Sequence, residues 1–316
     1  MIECQVYDAS FQNRWNDFVA ASRNGTFLFD RRFMDYHADR FTDHSLLFFR
    51  GRRLLAVMPA SQHGDELRSH GGLTYGGLVT SPRATMTDVI EMFEVLLSHM
   101  RDNGYKTLVY KKIPYIYARV PADEDLYAIS RIENERSAHV TQYRQVSSAI
   151  DRDCRVRFFD IRRSGIRRAA AAGVEIVESR DFAPFWDVLA ATLASRHGVS
   201  PVHSLDEITM LAGRFSDSIK LFEARLDGEV VAGVVMFDTT CVAHSQYIAA
   251  SPAGRETGAL DLLFDRLINH EFAGRRYFDF GISTEDHGRV LNENLIYQKE
   301  GFGGRAITYD IYTISI

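Results

Sequence analysis

Residues 247–302, YIAASPAGRETGALDLLFDRLINHEFAGRRYFDFGISTEDHGRVLNENLIYQKEGF, decide the fold. A β-rich run ends at Ala250, a turn that contains Pro and Gly follows, and helical apolar spacing then extends over residues 258–271. A second β-rich run occupies residues 277–282. These patterns predict a strand, a turn, a helix and a second strand in succession, with another helix around residues 292–299.

The turn before the first of these helices has the composition of a diphosphate site. Gly258 follows Arg255 by three residues, and a glycine at a helix start lets the backbone approach a ligand closely. The free N–H groups of a first helical turn and the helix dipole both favour an anion. The predicted cofactor-binding residues are Arg255, Glu256, Thr257, Gly258 and Ala259. The alternative interpretation is an ordinary strand-to-helix loop.

The rest of the chain has the same kind of organisation. A length of 316 residues suits two domains or one large one. The first half predicts a strand at 2–7, helices at 10–21 and 30–41, a hairpin at 45–60, a helix at 86–103 and a strand at 105–112. The second half predicts a helix at 162–172, a strand at 174–178, helices at 181–196 and 205–215, a hairpin at 219–237, and strands at 241–250 and 306–316. This repeated outline indicates a duplicated architecture, and the loss of periodicity near 147–160 marks the boundary.

Composition and motifs exclude several classes of protein. Lys and Arg number 37 and Asp and Glu number 42, which gives a net charge of 37 − 42 = −5 and argues against a dedicated DNA-binding protein. The three cysteines are far apart, and the histidines lack metal-ligand spacing, so we expect neither a disulfide scaffold nor a metal. No signal peptide or transmembrane segment is evident, which predicts a cytoplasmic location. The usual hydrolase, kinase and dinucleotide motifs are missing.

Two motifs resemble the GNAT superfamily of N-acetyltransferases. Arg255-x-x-Gly258 matches its helix-start motif, and Tyr297 is followed by Gly301-Phe302 in the family's register. The resemblance implies an α/β (α+β) fold with mixed sheets flanked by helices, and acetyl-CoA or another acyl-CoA as co-substrate. It also implies two splayed parallel strands that hold the donor, direct attack by an amine, and Tyr297 as the acid that protonates the leaving thiolate. The alternative for Tyr297 is packing on the sheet.

A second resemblance spans most of the chain. RRSGIRRA at 162–169, YFDFG at 277–281 and KEGFGG at 299–304 are similar to the FemAB-like branch of this superfamily. That branch comprises tandem GNAT-fold proteins, including cell-wall aminoacyl-transferases and acyltransferases encoded beside polysaccharide genes. The resemblance implies an N-terminal GNAT-like domain at 1–153 on the acceptor side and a C-terminal GNAT domain at 154–316 on the donor side.

Candidates for the general base lie near the end of the 277–282 strand. Asp279 and Glu285 flank that end, and a carboxylate there would accept an amine proton directly or through water. Asp279 would equally serve to anchor a substrate hydroxyl or to cap a helix. His244 lies on the preceding strand, where it is either a base or a core residue.

Two further groups are candidates for binding the acceptor. The glycine-rich loop 69–78 offers His70, Thr74 and Tyr75 to a sugar or peptide, although a tight bend would also explain its glycines. The second group suits hydroxyl or phosphate recognition, although a solvated helix face would explain it as well. Its members are His287, Arg289, Asn292 and Lys299.

These observations predict one function and keep two alternatives. We expect an acyl-CoA-dependent N-acyltransferase with one donor site in the C-terminal half, which acts on a small-molecule or nucleotide-linked amine such as an amino sugar in cell-surface polysaccharide synthesis. Acceptor binding is expected in a groove between the halves. The alternatives are a FemAB-type transferase that uses aminoacyl-tRNA and acts on a cell-wall precursor, and a non-catalytic ligand-binding protein. The sequence leaves the acyl chain and the oligomeric state open.

Overall fold

The computed structural model describes residues 1–135, 137–154 and 157–316. The chain divides into two compact units, of which the first contains Met1–Gln145 together with Thr308–Ile316 and the second contains Val146–Ile307. This division differs from the sequence-based boundary at 153/154. The difference arises because the C-terminal strand pairs with a strand of the first unit, a long-range contact that local patterning does not contain.

The first part of the chain contains nine strands and four helices among the described residues. The strands are β1 (Ile2–Val6), β2 (Thr42–Asp43), β3 (Leu46–Arg50), β4 (Arg53–Met58), β5 (Ser61–His63), β6 (Glu66–Arg68), β7 (Val79–Thr80), β8 (Thr107–Lys111) and β9 (His139–Asp151). The helices are α1 (Gln12–Ala21), α2 (Arg31–Met34), α3 (Met86–Asp102) and α4 (Glu124–Asn134).

The second part contains eight strands and six helices among the described residues. The strands are β10 (Glu175–Ser179), β11 (Ile219–Leu226), β12 (Glu229–Asp238), β13 (Val242–Ala250), β14 (Tyr277–Ile282), β15 (Thr284–Glu285), β16 (Val290–Leu291) and β17 (Arg305–Ser315). The helices are α5 (Asp160–Ala171), α6 (Ala183–His197), α7 (Leu205–Arg214), α8 (Pro252–Thr257), α9 (Ala259–Arg266) and α10 (Glu293–Glu300).

The first unit is built on two groups of strands. One sheet has the order β1-β3-β4-β7, and the other follows the order β17-β8-β6-β5-β2 with β6 and β8 parallel. Helix α3 begins with a capping box between Thr85 and Asp88, which satisfies backbone donors at its first turn. Its apolar face, which includes Phe93 and Leu96, is buried in the core of this unit.

The second unit has a sheet of order β10-β11-β12-β13-β14-β9. All of these pairs are antiparallel except β13–β14, which is parallel. The parallel pairing covers only three residue pairs and ends at His244 and Asp279, although β13 continues to Ala250 and β14 to Ile282. The two neighbouring strands therefore separate beyond His244 and Asp279, and this divergence is where the candidate site is built.

The mixed α/β architecture confirms the predicted fold class. Local signals placed several elements accurately, among them α3 and the hairpin around Asp227 and Gly228. The helix expected at 258–271 is instead a helix that starts at Ala259 and continues as one π-turn at Leu267–Glu271, and it is preceded by the separate helix α8. Gly258 separates α8 from α9 because its φ of +81° is left-handed and ends a right-handed helix.

Candidate active site

A fully buried carboxylate lies where β13 and β14 separate. Asp279 is 0% exposed, and its Oδ1 accepts hydrogen bonds from Ser147 Oγ at 2.6 Å and from the Gly281 backbone N–H at 3.0 Å. The other oxygen, Oδ2, lies 3.0 Å from His244 Nδ1. Burial of a charge is tolerated only when such partners compensate for lost hydration, so this set of donors explains how Asp279 occupies the interior.

His244 faces Asp279 across the last parallel pair of the two strands. Its side chain is 12% exposed, so the ring is largely enclosed but reaches the surface. An ionised carboxylate can only accept hydrogen bonds, so the short contact places the proton of a neutral imidazole on Nδ1. The basic lone pair of the ring then lies on Nε2. This is the arrangement by which a carboxylate orients a histidine that acts as a base.

A buried lysine supports the backbone that follows β14. Lys299 is 4% exposed, and its Nζ donates to the carbonyl oxygens of Gly281 and Ile282 at 2.8 Å each and to Ser283 Oγ at 2.9 Å. Burial lowers the pKa of Lys299 to about 8, and the negative charge of Asp279 acts in the opposite direction. Lys299 was predicted to contact substrate, but all three of these bonds are to the protein, so it anchors the end of β14.

A cavity of about 200 Å³ occupies the space between the diverging strands and α9 and α10. Its walls are largely apolar, with Phe264, Phe280 and Phe302 among them, while Arg255 and Gln298 supply polar groups. The complete lining is Thr192, Ile248, Ala249, Ala250, Arg255, Leu260, Phe264, Phe280, Leu295, Gln298, Lys299 and Phe302. A narrow apolar cavity with a few polar groups suits an extended, mostly apolar arm of a ligand.

The residues predicted to bind a diphosphate differ in their exposure and in their contacts. Arg255 lines the cavity and donates from Nη1 to the Ala250 carbonyl at 2.6 Å, whereas Glu256 is exposed and Ala259 is buried. Gly258 packs against α5, since a Cβ there would lie 2.9 Å from the Gly165 carbonyl oxygen. The glycine therefore permits close approach of two helices, which corrects the expectation that it lies open to a ligand. The Thr257 hydroxyl bonds back to carbonyls of α8, with Ala253 O at 2.9 Å.

Tyr297 lies away from the cavity. Leu295, Gln298 and Lys299 form the face of α10 that lines it, and Tyr297 is on another face of the same helix, 54% exposed. Its ring packs near Phe159, with the two ring centroids 5.8 Å apart. The position gives geometric support to a packing role rather than to the acid role that the resemblance implied.

The other predicted catalytic and substrate residues near α10 form an exposed polar group. Glu285 accepts from Asn292 Nδ2 at 3.0 Å, and Asn292 also caps α10 by accepting from the Leu295 N–H at 3.0 Å. His287 is exposed with a φ of 52°, and Arg289 pairs with Asp286 at 3.7 Å. The structure therefore brings together Asp279, His244 and Lys299, but it separates Glu285 from the buried carboxylate.

The glycine-rich loop 69–78 turns inward in the first unit. His70 is 3% exposed and Tyr75 is 2% exposed, so neither side chain is presented to a ligand, whereas Thr74 is exposed. Lys111 Nζ donates to the carbonyls of His70 at 3.0 Å and Leu73 at 2.7 Å and thereby fixes the loop. This is the alternative interpretation of the sequence, a tight bend, and it corrects the expectation that His70 and Tyr75 bind an acceptor.

Sequence reasoning missed Ser147 as a part of the site. Ser147 lies 132 positions before Asp279 in the chain, so no local spacing connects the two. The register of β9 against β14 brings them together, and a β-rich pattern across residues 139–151 would have been the available signal.

The described residues contain neither a candidate metal cluster nor a helix that could span a membrane. No three His, Cys, Asp or Glu side chains in that part of the chain converge in a way that would hold a metal ion. Within the same residues, none of the helices combines the length and the apolar character that a membrane crossing requires.

The chain is similar in fold to several known proteins. The family model described as an acetyltransferase (GNAT) domain matches residues 159–289. The fold is similar to that of FemX, with a TM-score of 0.67 and 11% identity over 98% of this chain and 96% of that one. It is also similar to L-PGS from Bacillus licheniformis, with a TM-score of 0.56 and 13% identity over 98% and 91% of the two chains.

A third similar structure is a tandem GNAT protein from the clavulanic acid biosynthesis pathway, with a TM-score of 0.51 and 12% identity over 100% of this chain and 98% of that one. No curated protein sequence matches the chain. The family match makes residues 159–289 a GNAT acetyltransferase domain and the protein an acyltransferase. The fold of the chain as a whole is similar to that of FemX and of a tandem GNAT protein, which confirms the predicted FemAB-like tandem GNAT fold.

Proposed function

We propose that the protein is an acyl-CoA-dependent N-acyltransferase whose reaction takes place where β13 and β14 separate. Two observations carry this proposal: a cavity lined by residues of β13 and β14 beyond their last paired residues, and a histidine held by a buried carboxylate at that last pair. The cavity would receive the donor, and the histidine would accept a proton from the attacking amine. Both features belong to the unit that contains the GNAT acetyltransferase domain.

The cavity has the chemistry needed for an acyl thioester arm. Its aromatic and aliphatic walls would exclude water from the arm. The lining has two cationic side chains, and Arg255 is the exposed one that would attract an anionic donor. A bound donor supplies the acyl carbonyl that the acceptor attacks. Gln246 lies at a bulge, skipped in the Cα pairing of β12 with β13, and its backbone N–H is the proposed donor that polarises the carbonyl oxygen.

His244 is the proposed general base. Asp279 holds the ring through Nδ1, so Nε2 would take the proton as the acceptor amine becomes a nucleophile. The buried carboxylate then stabilises the imidazolium that forms. Ser147 and the Gly281 N–H hold Asp279 in place, and Lys299 fixes the strand end that carries the Gly281 carbonyl. The amine nitrogen bonds to the acyl carbon, the carbon–sulfur bond of the thioester breaks, and the proton held by His244 returns to the leaving thiolate directly or through solvent. No covalent intermediate on the protein is needed.

The proposed acceptor is an amino sugar or a similar polar amine, free or nucleotide-linked, in cell-surface polysaccharide synthesis by a cytoplasmic enzyme. The alternative donor is an aminoacyl-tRNA used on a cell-wall precursor. It is supported by the similarity to FemX, which extends over nearly the full length of both chains. The two proposals share the same base and differ in the donor, so a donor experiment separates them.

Donor preference is tested by thermal unfolding and thiol release. Acetyl-CoA is expected to raise the unfolding midpoint and, with a panel of amino sugars, to release a thiol that depends on the acceptor. A charged tRNA that raises the midpoint and transfers its aminoacyl group, with no response to acetyl-CoA, would support the alternative. No shift by any donor and no transfer would contradict both proposals.

A pair of substitutions on α10 tests whether the cavity holds the donor. Gln298 lines the cavity, and Gln298→Trp would fill it, whereas Tyr297→Trp introduces the same side chain on a different face of the same helix. We expect Q298W to raise the KM for acetyl-CoA at least about tenfold, a loss of about 1.4 kcal/mol of binding. Y297W is expected to leave that KM within about twofold. Equal effects of the two variants would contradict a donor site in this cavity.

A further inference from the structure

A groove on the first unit carries a concentration of arginines. It has a volume of about 750 Å³, and its lining contains Arg50, Arg52, Arg53 and Arg83 beside Thr85 and Asp88. Three of these arginines come from the β3–β4 hairpin and one from the loop before α3. We call this the arginine groove. The chain as a whole carries a net charge of −5, so the groove is a local departure from its overall charge.

Acidic partners neutralise only part of this positive charge. Asp88 pairs with Arg50 at 2.9 Å, and Glu91 also contacts Arg50. The second oxygen of Asp88 accepts from the Thr85 N–H at 2.8 Å in the capping box, so this carboxylate is already occupied. In the parts of the chain that the structure describes, no acidic side chain pairs with Arg52, Arg53 or Arg83.

The hairpin also brings like charges together. Arg50 and Arg53 are directly opposite each other at the end of the β3–β4 ladder, and Arg52 stands between them in the turn. Directly opposed like charges destabilise a strand pair unless a counterion lies between them. The guanidinium of Arg14 adds positive charge beside this turn, because its Nη2 donates to the Arg52 carbonyl at 2.9 Å. The groove therefore concentrates positive charge around a space large enough to hold an anion.

We propose that the arginine groove is a binding site for a small ligand that carries two or more linked phosphate groups. The planar guanidinium fork matches phosphate oxygens in bidentate geometry, and several forks around one space favour an oligophosphate over a single phosphate. The volume lies within the range of about 300–1,000 Å³ that is usual for small-molecule sites. This argues for a discrete ligand rather than a nucleic-acid chain or a membrane surface. The proposal concerns the first unit alone and does not depend on the acyl-transfer chemistry.

Calorimetric titration with inorganic pyrophosphate tests the proposal on the full-length protein, with orthophosphate and sulfate at equal ionic strength as comparisons. We expect pyrophosphate to bind at least about tenfold more tightly than either, with an affinity that falls as salt rises. UDP is expected to bind in competition with pyrophosphate.

Charge reversals locate the site. The double variant Arg52→Glu and Arg83→Glu is expected to weaken pyrophosphate binding at least about 30-fold, because each reversal removes one phosphate contact and adds repulsion. Arg167→Glu, an exposed arginine on α5 of the second unit, is the control and should change binding less than about twofold. The changed side chains are exposed, so we expect each variant to fold. Measurement of each variant's unfolding midpoint checks this expectation.

Three results would overturn the proposal. One is pyrophosphate binding no tighter than sulfate binding, and another is unchanged pyrophosphate binding by the double variant. The third is binding to RNA or to vesicles that contain phosphatidylglycerol without binding to pyrophosphate or UDP, which would assign the surface to a polymer or a membrane instead.

Discussion

At the scale of single residues, His70 illustrates how burial sets the charge of a histidine. Its φ of 60° is left-handed, and its ring stacks on His37 with the two centroids 5.0 Å apart. Burial, together with the neighbouring charges of His37 and Lys111, lowers the pKa of His70 to about 3. Between about pH 3 and pH 6.5 the ring is therefore neutral in the folded protein, whereas the unfolded chain would protonate it.

This difference predicts a loss of stability on acidification. The unfolded state takes up a proton at His70 below about pH 6.5, and the folded state does not until about pH 3, so the free energy of unfolding falls across that window. Between pH 7 and pH 5 the wild type should lose about 2 kcal/mol more than His70→Asn, because Asn tolerates a left-handed φ and does not titrate. Urea unfolding at the two pH values measures the difference.

The control for this prediction is His287→Asn. His287 also has a left-handed φ, of 52°, but it is exposed, so the change replaces a histidine on the surface rather than one in the interior. H287N should show the pH dependence of the wild type. If H70N also follows the wild type, the account of His70 is wrong.

The position of a residue was predictable from the sequence where a local pattern determines it. It was not predictable where contacts with a distant segment of the chain determine it. The sequence placed Asp279 and His244 on neighbouring strands because both segments have clear strand patterns, while their catalytic roles stay predictions. Lys299 was predicted to bind substrate from its position on a helix. That position does not reveal that the ammonium group bonds to carbonyls at the end of β14. The partners that bury Lys299 come from 16 to 18 positions away in the chain.

At the scale of elements, α5 and α9 make close contact through glycines. A Cβ on Gly165 would lie 1.8 Å from Asp261 Oδ2, and a Cβ on Gly258 would lie 2.9 Å from the Gly165 carbonyl oxygen. Arg162 on α5 pairs with Asp261 on α9 at 2.7 Å, which holds the two helices together. The segment RRSGIRRA at 162–169, which resembles the FemAB-like branch, thus packs α5 against α9 in the second unit.

Two matched glycine substitutions test this contact. Gly165→Ala should destabilise the protein by about 1–3 kcal/mol, because the new methyl overlaps a carboxylate that is held by Arg162. Gly213→Ala, in the last turn of α7 with no atom within 4 Å of the new methyl, should stabilise by up to about 1 kcal/mol through helix propensity. Chemical denaturation of both variants compares them. A Gly165→Ala variant at least as stable as the wild type would exclude the close contact.

Element boundaries show the same limit of sequence reasoning. The hairpin around Asp227 and Gly228 was predictable because a two-residue turn and its flanking apolar strands are a local signal. Helix α8 was not predictable, since Pro252–Thr257 has the composition of a turn and lacks helical apolar spacing, and the left-handed φ of Gly258 separates this helix from α9. Short strands such as β5 and β6 form because they pair with neighbouring strands, and amino-acid composition does not predict such pairing.

At the scale of the whole molecule, the C-terminal strand belongs to the first unit. Residues Ile311–Ser315 of β17 pair antiparallel with β8, and Tyr312 and Ile314 lie in the core cluster of that unit. The sequence assigned this segment to the second half by its place in the chain. The structure instead predicts that the stability of the first unit depends on its last residues.

Deletion of Thr308–Ile316 tests this assignment with one tryptophan as the reporter of each unit. Trp15 lies in the first unit and Trp186 in the second, and the chain has no other tryptophan. In a Trp186→Phe background the deletion should lower the unfolding midpoint seen by Trp15 by several degrees, because a core strand is lost. In a Trp15→Phe background, the same deletion should lower the unfolding midpoint reported by Trp186 much less. The reverse pattern would contradict the assignment.

The central claim is that His244, held by Asp279, removes the proton from the acceptor amine. The most direct measurement is kcat for acyl transfer by His244→Gln and by Tyr297→Phe, with acetyl-CoA and the amine that releases most thiol with the wild type. The account predicts that H244Q loses at least about 100-fold in kcat with little change in the KM for acetyl-CoA, while Y297F stays within about twofold. Transfer by H244Q at the wild-type rate, or a loss of that size in Y297F alone, would contradict it.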